Sequence, residues 1–219
     1  MRLIKALRVW LQDRRSMRNT KVIALFSKEQ CETFMFYVCY QAQHSLHEYY
    51  SCFSDQISWE DFNLIVRGTK AIRTIISEAI MDEVSAIAAE PLRAEYIDTD
   101  TELALDGDNE TNCHIAEIFS QKESVSVIFG IVLMVQYMYF CYKRDTDGLT
   151  LTWNQFIESV EGDDGTAEKL CRIFKNYLYR MDFNKYWHQN HVVGIISGQR
   201  ELLPQLREKA ASVGTRNIT

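Results

Sequence analysis

The chain has 219 residues, 47% of them hydrophobic, and a formal net charge of −6. This composition excludes an intrinsically disordered protein, because so much apolar surface favours a packed core. Two prolines and nine glycines are few for an all-β or loop-rich protein. The composition therefore favours a helical globular domain.

The six cysteines indicate a reducing compartment. None of them forms a CxxC pair, and most lie inside apolar runs, which is typical of buried free thiols. The N-terminus lacks the continuous apolar core of a secretory signal. We therefore expect a cytoplasmic protein.

Residues 1–21 differ in charge from the rest of the chain. They carry seven Lys or Arg residues and one acid, Asp13, for a net charge of +6, which leaves −12 on residues 22–219. Leu3, Leu7 and Trp10 share one face of a predicted helix. This basic amphipathic extension could contact acidic lipid or nucleic acid peripherally, or serve as an organelle-targeting peptide. Docking on the acidic body is favoured, and no nucleic-acid partner is expected.

Three helices are predicted by their start signals and apolar spacing, two in the first half of the chain and one in the second half. Ser27 and Gln30 form a capping box for a helix that reaches about Tyr50. Ser58 caps a second helix, which runs to about Ala89. Thr152 caps a later helix, in which Gln155 completes the box.

The helix starts at Ser58 and Thr152 resemble each other. Ile57-Ser58-Trp59 and Leu151-Thr152-Trp153 are each followed by a Phe at the same distance, and the step from Ser58 to Thr152 is 94 residues. An internal duplication would explain this. Because nothing else matches at that step, two independent examples of one good helix start are favoured.

Residues 95–110 contain seven acids and no base, which predicts a solvated acidic loop. Asp106, Asp108, Glu110 and Glu117 follow the spacing of a calcium-binding loop. Its sixth position, however, is Thr111 where the turn requires Gly. A calcium site is therefore not favoured.

Residues 124–142 (SVSVIFGIVLMVQYMYFCY) form the longest uncharged stretch. A membrane span needs about 20 apolar residues, and the polar Ser124, Ser126 and Gln136 argue against one. A pair of strands is a second alternative, since Val, Ile, Phe and Tyr dominate the stretch. We favour a buried central helix, because a helix that is apolar all round belongs inside a bundle.

Two further helices are predicted, over about 166–179 and about 192–213. The fold class is therefore all-α, a single-domain helical bundle over residues 22–219 around the buried helix 124–142.

Four of the five histidines form two HxxH pairs, His44/His47 and His188/His191. On a helix, residues three apart share a face, and imidazole is a common metal ligand. Two such pairs facing each other could hold a metal inside a bundle. Surface or capping histidines are favoured, because the carboxylates usual in such sites are almost absent here.

The C-terminus carries Leu202-Leu203-x-x-Leu206-Arg207, six residues, and then Gly214-x-x-Asn217-Ile218. This pattern resembles the closing signature of the bacterial YjaG-like family, a domain of unknown function. Thr33-Phe34-Met35 through Cys39 to Phe53 also resembles a helix of that family. Arg216 departs from the family, which has Ser there. The resemblance implies an all-α cytoplasmic bacterial protein and supplies no catalytic residues.

The sequence contains no nucleophile elbow, phosphate loop or dinucleotide-binding fingerprint. We therefore expect a non-enzymatic protein that acts by binding a protein partner or a second copy of itself, as acidic immunity or antitoxin proteins do, with no cofactor. An acidic surface suits a basic partner. The alternative is a metal-dependent enzyme that uses the two HxxH pairs.

Overall fold

The computed structural model describes residues 24–90, 92–94, 97, 115–188 and 191–214. Within these ranges the regular structure is helical and contains no strand, so the predicted all-α helical fold is confirmed. The basic extension 1–21 lies outside the described residues, and so does the acidic loop 95–110 apart from Ile97.

Three helices come first: α1 (Lys28–Phe53), α2 (Trp59–Gly68) and α3 (Lys70–Ala89). Two predicted caps are confirmed. The backbone N–H of Ser27 donates to Oε1 of Gln30 at 2.8 Å, and the backbone N–H of Gln30 donates to Oγ of Ser27 at 3.2 Å. The Ser58 hydroxyl accepts from the backbone N–H of Asp61.

The prediction of one continuous helix from Ser58 to about Ala89 is wrong. Thr69, with φ −116° and ψ 103°, is extended and separates α2 from α3. A Cβ added to Gly68 would lie 2.9 Å from a methyl carbon of Leu206. Glycine therefore admits a close neighbour at the end of α2, where a larger residue would require the Leu206 side chain to shift.

Helix α4 (Gln121–Asp147) contains the predicted apolar stretch. One side of it is buried, with Ile128 and Val135 fully covered, whereas Phe129 and Tyr137 are 49% and 55% exposed. By length and composition this helix could cross a membrane, and half of its most apolar stretch is buried within the protein. A core helix of a soluble protein has the same properties, so this feature alone decides nothing.

The remaining helices are α5 (Trp153–Glu161), α6 (Asp164–Tyr179), α7 (Asn184–Trp187), α8 (Val192–Gln199) and α9 (Leu203–Gly214). The predicted capping box of Thr152 and Gln155 is confirmed. The prediction of one helix over 192–213 is wrong, since a 3-10 turn (Arg200–Leu202) separates α8 from α9. Pro204 has no N–H to continue the helical hydrogen bonds and so fits only a first turn.

The chain forms two compact units. Unit 1 contains the described residues of 1–35, 82–103 and 123–181. Unit 2 contains those of 36–81, 104–122 and 182–219.

The helices repeat along the chain. A long helix, a short helix and a third helix follow one another in α1–α3 and again in α4–α6. Shifting the first set by the 94 residues between Ser58 and Thr152 places each helix start on its counterpart to within one residue. This correspondence favours an internal duplication over two independent helix starts. We call Lys28–Ala89 the first repeat and Gln121–Tyr179 the second repeat.

Sequence and burial support the repeat. In the first repeat, Leu25-Phe26-Ser27 is followed directly by Lys28-Glu29. In the second repeat, Ile118-Phe119-Ser120 is followed by Lys122-Glu123, with Gln121 inserted between them. Trp59, Phe62, Val66 and Gly68 recur as identical residues 94 positions later. Several corresponding positions are buried in both repeats: Phe34/Ile128, Val38/Val132, Leu46/Phe140, Phe62/Phe156, Val66/Val160, Ile76/Leu170, Ala79/Ile173, Ile80/Phe174 and Val84/Leu178.

Within unit 2, helix α9 packs on helix α2. The guanidinium of Arg207 donates to both carboxylate oxygens of Asp61, at 2.9 and 2.6 Å. Leu206 lies against Gly68. In the second repeat, Gly162 corresponds to Gly68, and an added Cβ there would meet no side chain within 4 Å.

Candidate functional site

The first HxxH pair lies on α1, where other groups engage its side chains. The Nε2 of His47 lies 2.8 Å from the carbonyl oxygen of Ile57. A carbonyl only accepts, so this nitrogen carries the proton and is not available as a metal ligand. The Nδ1 of His44 lies 3.6 Å from a carboxylate oxygen of Glu48.

The second pair, His188 and His191, lies between two helices and not on one helix. His188 follows α7, and its Nδ1 lies 3.0 Å from the hydroxyl of Tyr49. His191 precedes α8 in the left-handed conformation, with φ 46°. The pair therefore does not share one helix face, contrary to the helical spacing assumed from the sequence.

Among the described residues, no three His, Cys, Asp or Glu side chains come together in a way that could hold a metal ion. The thiol of Cys39 is also unsuited to nucleophilic chemistry, because burial raises its pKa to about 12.

Unit 2 contains a buried polar clamp made by Gln43 and Asn63. The side chain of Gln43 donates to the carbonyl of Ala116 at 2.9 Å and accepts from the Ala116 N–H at 3.0 Å. The same N–H lies 3.0 Å from the Oδ1 of Asn63. Arg67 donates to the carbonyl of the preceding Ile115 at 3.0 Å.

This clamp holds an irregular piece of chain against helices α1 and α2. Gln43 and Ala116 are fully buried, and Asn63 is 3% exposed. Residues 115–118 have no regular secondary structure, so their backbone groups need partners from elsewhere. The two amide side chains supply partners for Ala116, which avoids the cost of burying unpaired polar groups.

The second repeat carries an aromatic cluster at the corresponding place. Tyr137 of α4 lies 5.9 Å from Trp153 of α5, measured between ring centroids. Phe140 lies 5.6 Å and Phe156 lies 5.7 Å from the same indole. We call Tyr137, Phe140, Trp153 and Phe156 the aromatic face, and all four residues belong to unit 1.

Within the aromatic face, Tyr137 is exposed where its counterpart is covered, whereas Phe140 and Phe156 are buried. Tyr137 takes the position of Gln43 and is 55% exposed, whereas Gln43 is fully buried under Ala116. Leu151 is 36% exposed, whereas its counterpart Ile57 is 8% exposed. A large exposed aromatic side chain beside other rings is typical of a surface that binds a partner.

The indole nitrogens do not explain this exposure. The Nε1 atoms of Trp59 and Trp153 are both buried without a hydrogen-bond acceptor. The first repeat has this feature although its face is covered, so the feature belongs to the repeated packing of the Trp and not to ligand binding.

Helix α5 and the start of α6 are acidic. Residues 153–164 contain Glu158, Glu161, Asp163 and Asp164 and no base. All four of these side chains are exposed. A hydrogen bond from the Thr166 hydroxyl, 2.6 Å away, is the largest cause of the lowered pKa of Asp163. The carboxylates give this part of unit 1 a negative potential, which attracts basic groups.

The sequence analysis missed Tyr137 because the residue lies inside an uncharged run that was interpreted as buried. The signal that could have identified it is the repeat, since aligning the two helix starts places Tyr137 against the polar Gln43.

Comparison with known proteins gives no relative: no family model, curated protein or solved structure matches the chain.

Proposed function

We propose that the protein is a non-enzymatic, acidic helical protein that acts by binding a protein partner through the aromatic face. The observation that carries this proposal is the exposure of Tyr137, which is 55% accessible beside Trp153. Tyr and Trp supply much of the binding energy in protein interfaces, because they bury a large area at a low cost in conformational entropy.

Charge supports the same proposal. The whole chain has a net charge of −6, and residues 153–164 contain four acids and no base. Such a surface accelerates encounter with a basic partner and suppresses encounter with acidic ones. Neutralising a basic partner, as acidic immunity and antitoxin proteins do, is the role we propose within this class.

Photo-cross-linking identifies the partner. A benzoyl-phenylalanine placed at position 137 in the full-length chain should cross-link a specific protein in cells, and the same group at Tyr179 should not. Tyr179 is the matched control, because it lies in the same unit and is 62% exposed. Cross-links confined to the same chain contradict the proposal.

Binding is then measured with the purified partner by calorimetry. Tyr137→Ala should weaken the affinity at least about tenfold, as expected for a residue central to an interface, whereas Tyr179→Ala should change it less than about twofold. Equal affinities for the two variants overturn the proposal. Stoichiometric metal in the purified protein that is lost in His44→Ala or His188→Ala also overturns it, in favour of metal-dependent chemistry.

A further inference from the structure

We propose that helix α9 is exchangeable: it docks on α2 of its own chain, and the same site on α2 accepts α9 of a second copy of the chain. The site consists of Asp61 and Gly68 of α2, which receive Arg207 and Leu206 of α9. All four residues belong to unit 2, whereas the aromatic face of the proposed function belongs to unit 1.

Helix α9 buries few of its side chains. Within residues 203–212, Leu203 is buried and Leu206 is half-buried, and the other eight side chains are exposed. Segments with few buried apolar groups open at a lower free energy than the core of a protein does, and a helix of 12 residues is marginal by itself. We therefore expect α9 to leave α2 while the rest of unit 2 stays folded.

The contact that α9 does make is specific. The guanidinium of Arg207 donates to both carboxylate oxygens of Asp61, at 2.9 and 2.6 Å, and two such bonds fix the orientation of the pair. The missing Cβ of Gly68 leaves room for a methyl group of Leu206. The site therefore selects a helix with adjacent Leu and Arg residues. Every copy of the chain carries that pair, so exchange between two copies keeps both contacts.

The corresponding place in the second repeat lacks these features. Gln155 stands at the position of Asp61, and its Oε1 accepts from the backbone N–H of Thr152 at 2.9 Å. A Cβ added to Gly162, the counterpart of Gly68, would meet no side chain within 4 Å. A neutral amide does not attract a guanidinium as a carboxylate does. Helix α9 is therefore matched to α2 and not to α5.

The connection before α9 has the character of a hinge. Arg200–Leu202 form a 3-10 turn with no buried residue, and a short 3-10 stretch between helices often marks a hinge. Arg200 donates to the carbonyl of Asp55 at 3.3 Å, which fixes the start of the turn. The backbone of Glu201 and Leu202 is then the part that changes direction when α9 moves to a second copy.

Tethering decides which copy supplies α9. A short connection gives α9 an effective concentration of about 1 mM at its own site. We therefore expect dilute wild-type protein to keep α9 on its own α2. Exchange between copies becomes favourable when the protein is concentrated to that level, or when the contact within one chain is blocked.

Charge reversal in two full-length variants tests the exchange. Asp61→Arg and Arg207→Asp each place like charges at the site, within one chain and between identical chains. In an equimolar mixture, the native Arg207 of the first variant meets the native Asp61 of the second, and the introduced arginine meets the introduced aspartate. Native mass spectrometry should show a 1:1 heterodimer at least about fivefold more abundant than the homodimers of either variant alone.

Two controls show whether the heterodimer comes from this site. A chain with both substitutions restores an opposite-charge pair within itself and should be as monomeric as wild type. Asp164→Arg makes the same charge change at an exposed position of unit 1, and mixing it with Arg207→Asp should give no heterodimer.

A labelled peptide provides a second measurement that leaves α2 unchanged, because Asp61 also lies in the first turn of that helix. The peptide has the native sequence of residues 200–212 and is titrated into full-length Arg207→Asp and into wild type. It should bind the variant at least about fivefold more tightly, because the variant's own α9 is repelled by Asp61. The same peptide with Arg207→Asp should not bind either protein.

Circular dichroism establishes that each variant is folded before the mixture is measured, and the peptide titration decides alone if Asp61→Arg does not fold. A mixture of folded variants that is no more dimeric than its components overturns the proposal. Equal affinity of the native peptide for Arg207→Asp and for wild type, or no measurable binding to either, also overturns it.

Discussion

Gln43 holds both backbone groups of Ala116, its amide nitrogen 2.9 Å from the carbonyl oxygen and its amide oxygen 3.0 Å from the N–H nitrogen. The two residues are 73 positions apart and both are fully buried. Gln43→Ala would leave the Ala116 carbonyl without this donor. We expect the free energy of unfolding to fall by about 1–3 kcal/mol.

Chemical denaturation of the purified protein measures this loss. Gln41→Ala removes the same side chain two residues earlier on α1, at a half-buried position, and should change the free energy of unfolding by less than about 0.5 kcal/mol. If both variants unfold at the wild-type midpoint, the clamp does not contribute to stability.

The two recurring helix starts should depend on their caps. Ser58→Ala and Thr152→Ala each remove a hydroxyl that accepts from the first turn, and each should destabilise the protein by about 0.5–2 kcal/mol. Thr150→Ala, at an exposed position just before the second cap, is the control. An unchanged denaturation midpoint for both cap variants would be inconsistent with this role.

The contact of Arg207 with Asp61 should make stability depend on pH. The hydrogen bonds from the Arg207 guanidinium are the largest cause of the lowered pKa of Asp61. A carboxyl with a lowered folded-state pKa contributes stability above its ordinary pKa, and this contribution is lost as pH falls through the folded value. Asp61→Asn should therefore lower the melting temperature at pH 7, and the difference from wild type should shrink below about pH 4.

Asp145→Asn tests whether that effect is specific. Asp145 pairs with Arg144 at 3.0 Å, but both side chains are more than half exposed, so little change is expected at any pH. A pH-independent difference between wild type and Asp61→Asn would show that the variant acts through packing and not through charge.

The cysteines should differ in reactivity. Cys52 is exposed, whereas Cys39 is buried and its pKa is raised to about 12. Since the thiolate is the reactive form, iodoacetamide should label Cys52 in the native protein and Cys39 only after unfolding. Peptide mass mapping distinguishes the two sites. Labelling of native Cys39 at the rate of Cys52 would contradict its burial.

The two sides of α4 should respond differently to the same charge. Val132 is 4% exposed and Tyr137 is 55% exposed. Val132→Asp buries an unpaired carboxylate and should cost several kcal/mol, roughly 3 or more. Tyr137→Asp should cost about 1 kcal/mol or less, as surface substitutions generally do. Thermal unfolding of the two variants measures the contrast, and equal losses would show that both sides are packed.

Local signals in the sequence predicted much of the fold. The caps at Ser27, Ser58 and Thr152 were identified because a cap depends on residues within one turn of itself. The break at Thr69 was missed because the apolar spacing continues across it. The close approach of Leu206 to the neighbouring Gly68 is a contact between distant residues that no local pattern records.

The candidate site was less accessible to sequence analysis. Tyr137 is exposed because no other segment packs over it, and this depends on the tertiary structure. Apolar periodicity indicates only that one side of a helix could be buried. The duplication was considered and not favoured, because few identical residues survive in it. Most of the support for it comes from helix lengths and from the burial of corresponding positions, which the structure supplies.

The contact between Asp61 and Arg207 joins residues 146 positions apart. During synthesis, the surface of α2 that contacts α9 leaves the ribosome long before α9 does. At about 5–20 residues per second, the wait is roughly 7–30 s. Throughout that interval Asp61 and Gly68 lack their later neighbours Arg207 and Leu206. The contact between α2 and α9 therefore forms only after residue 207 has been translated, and a chaperone that shields apolar segments can act on α2 until then.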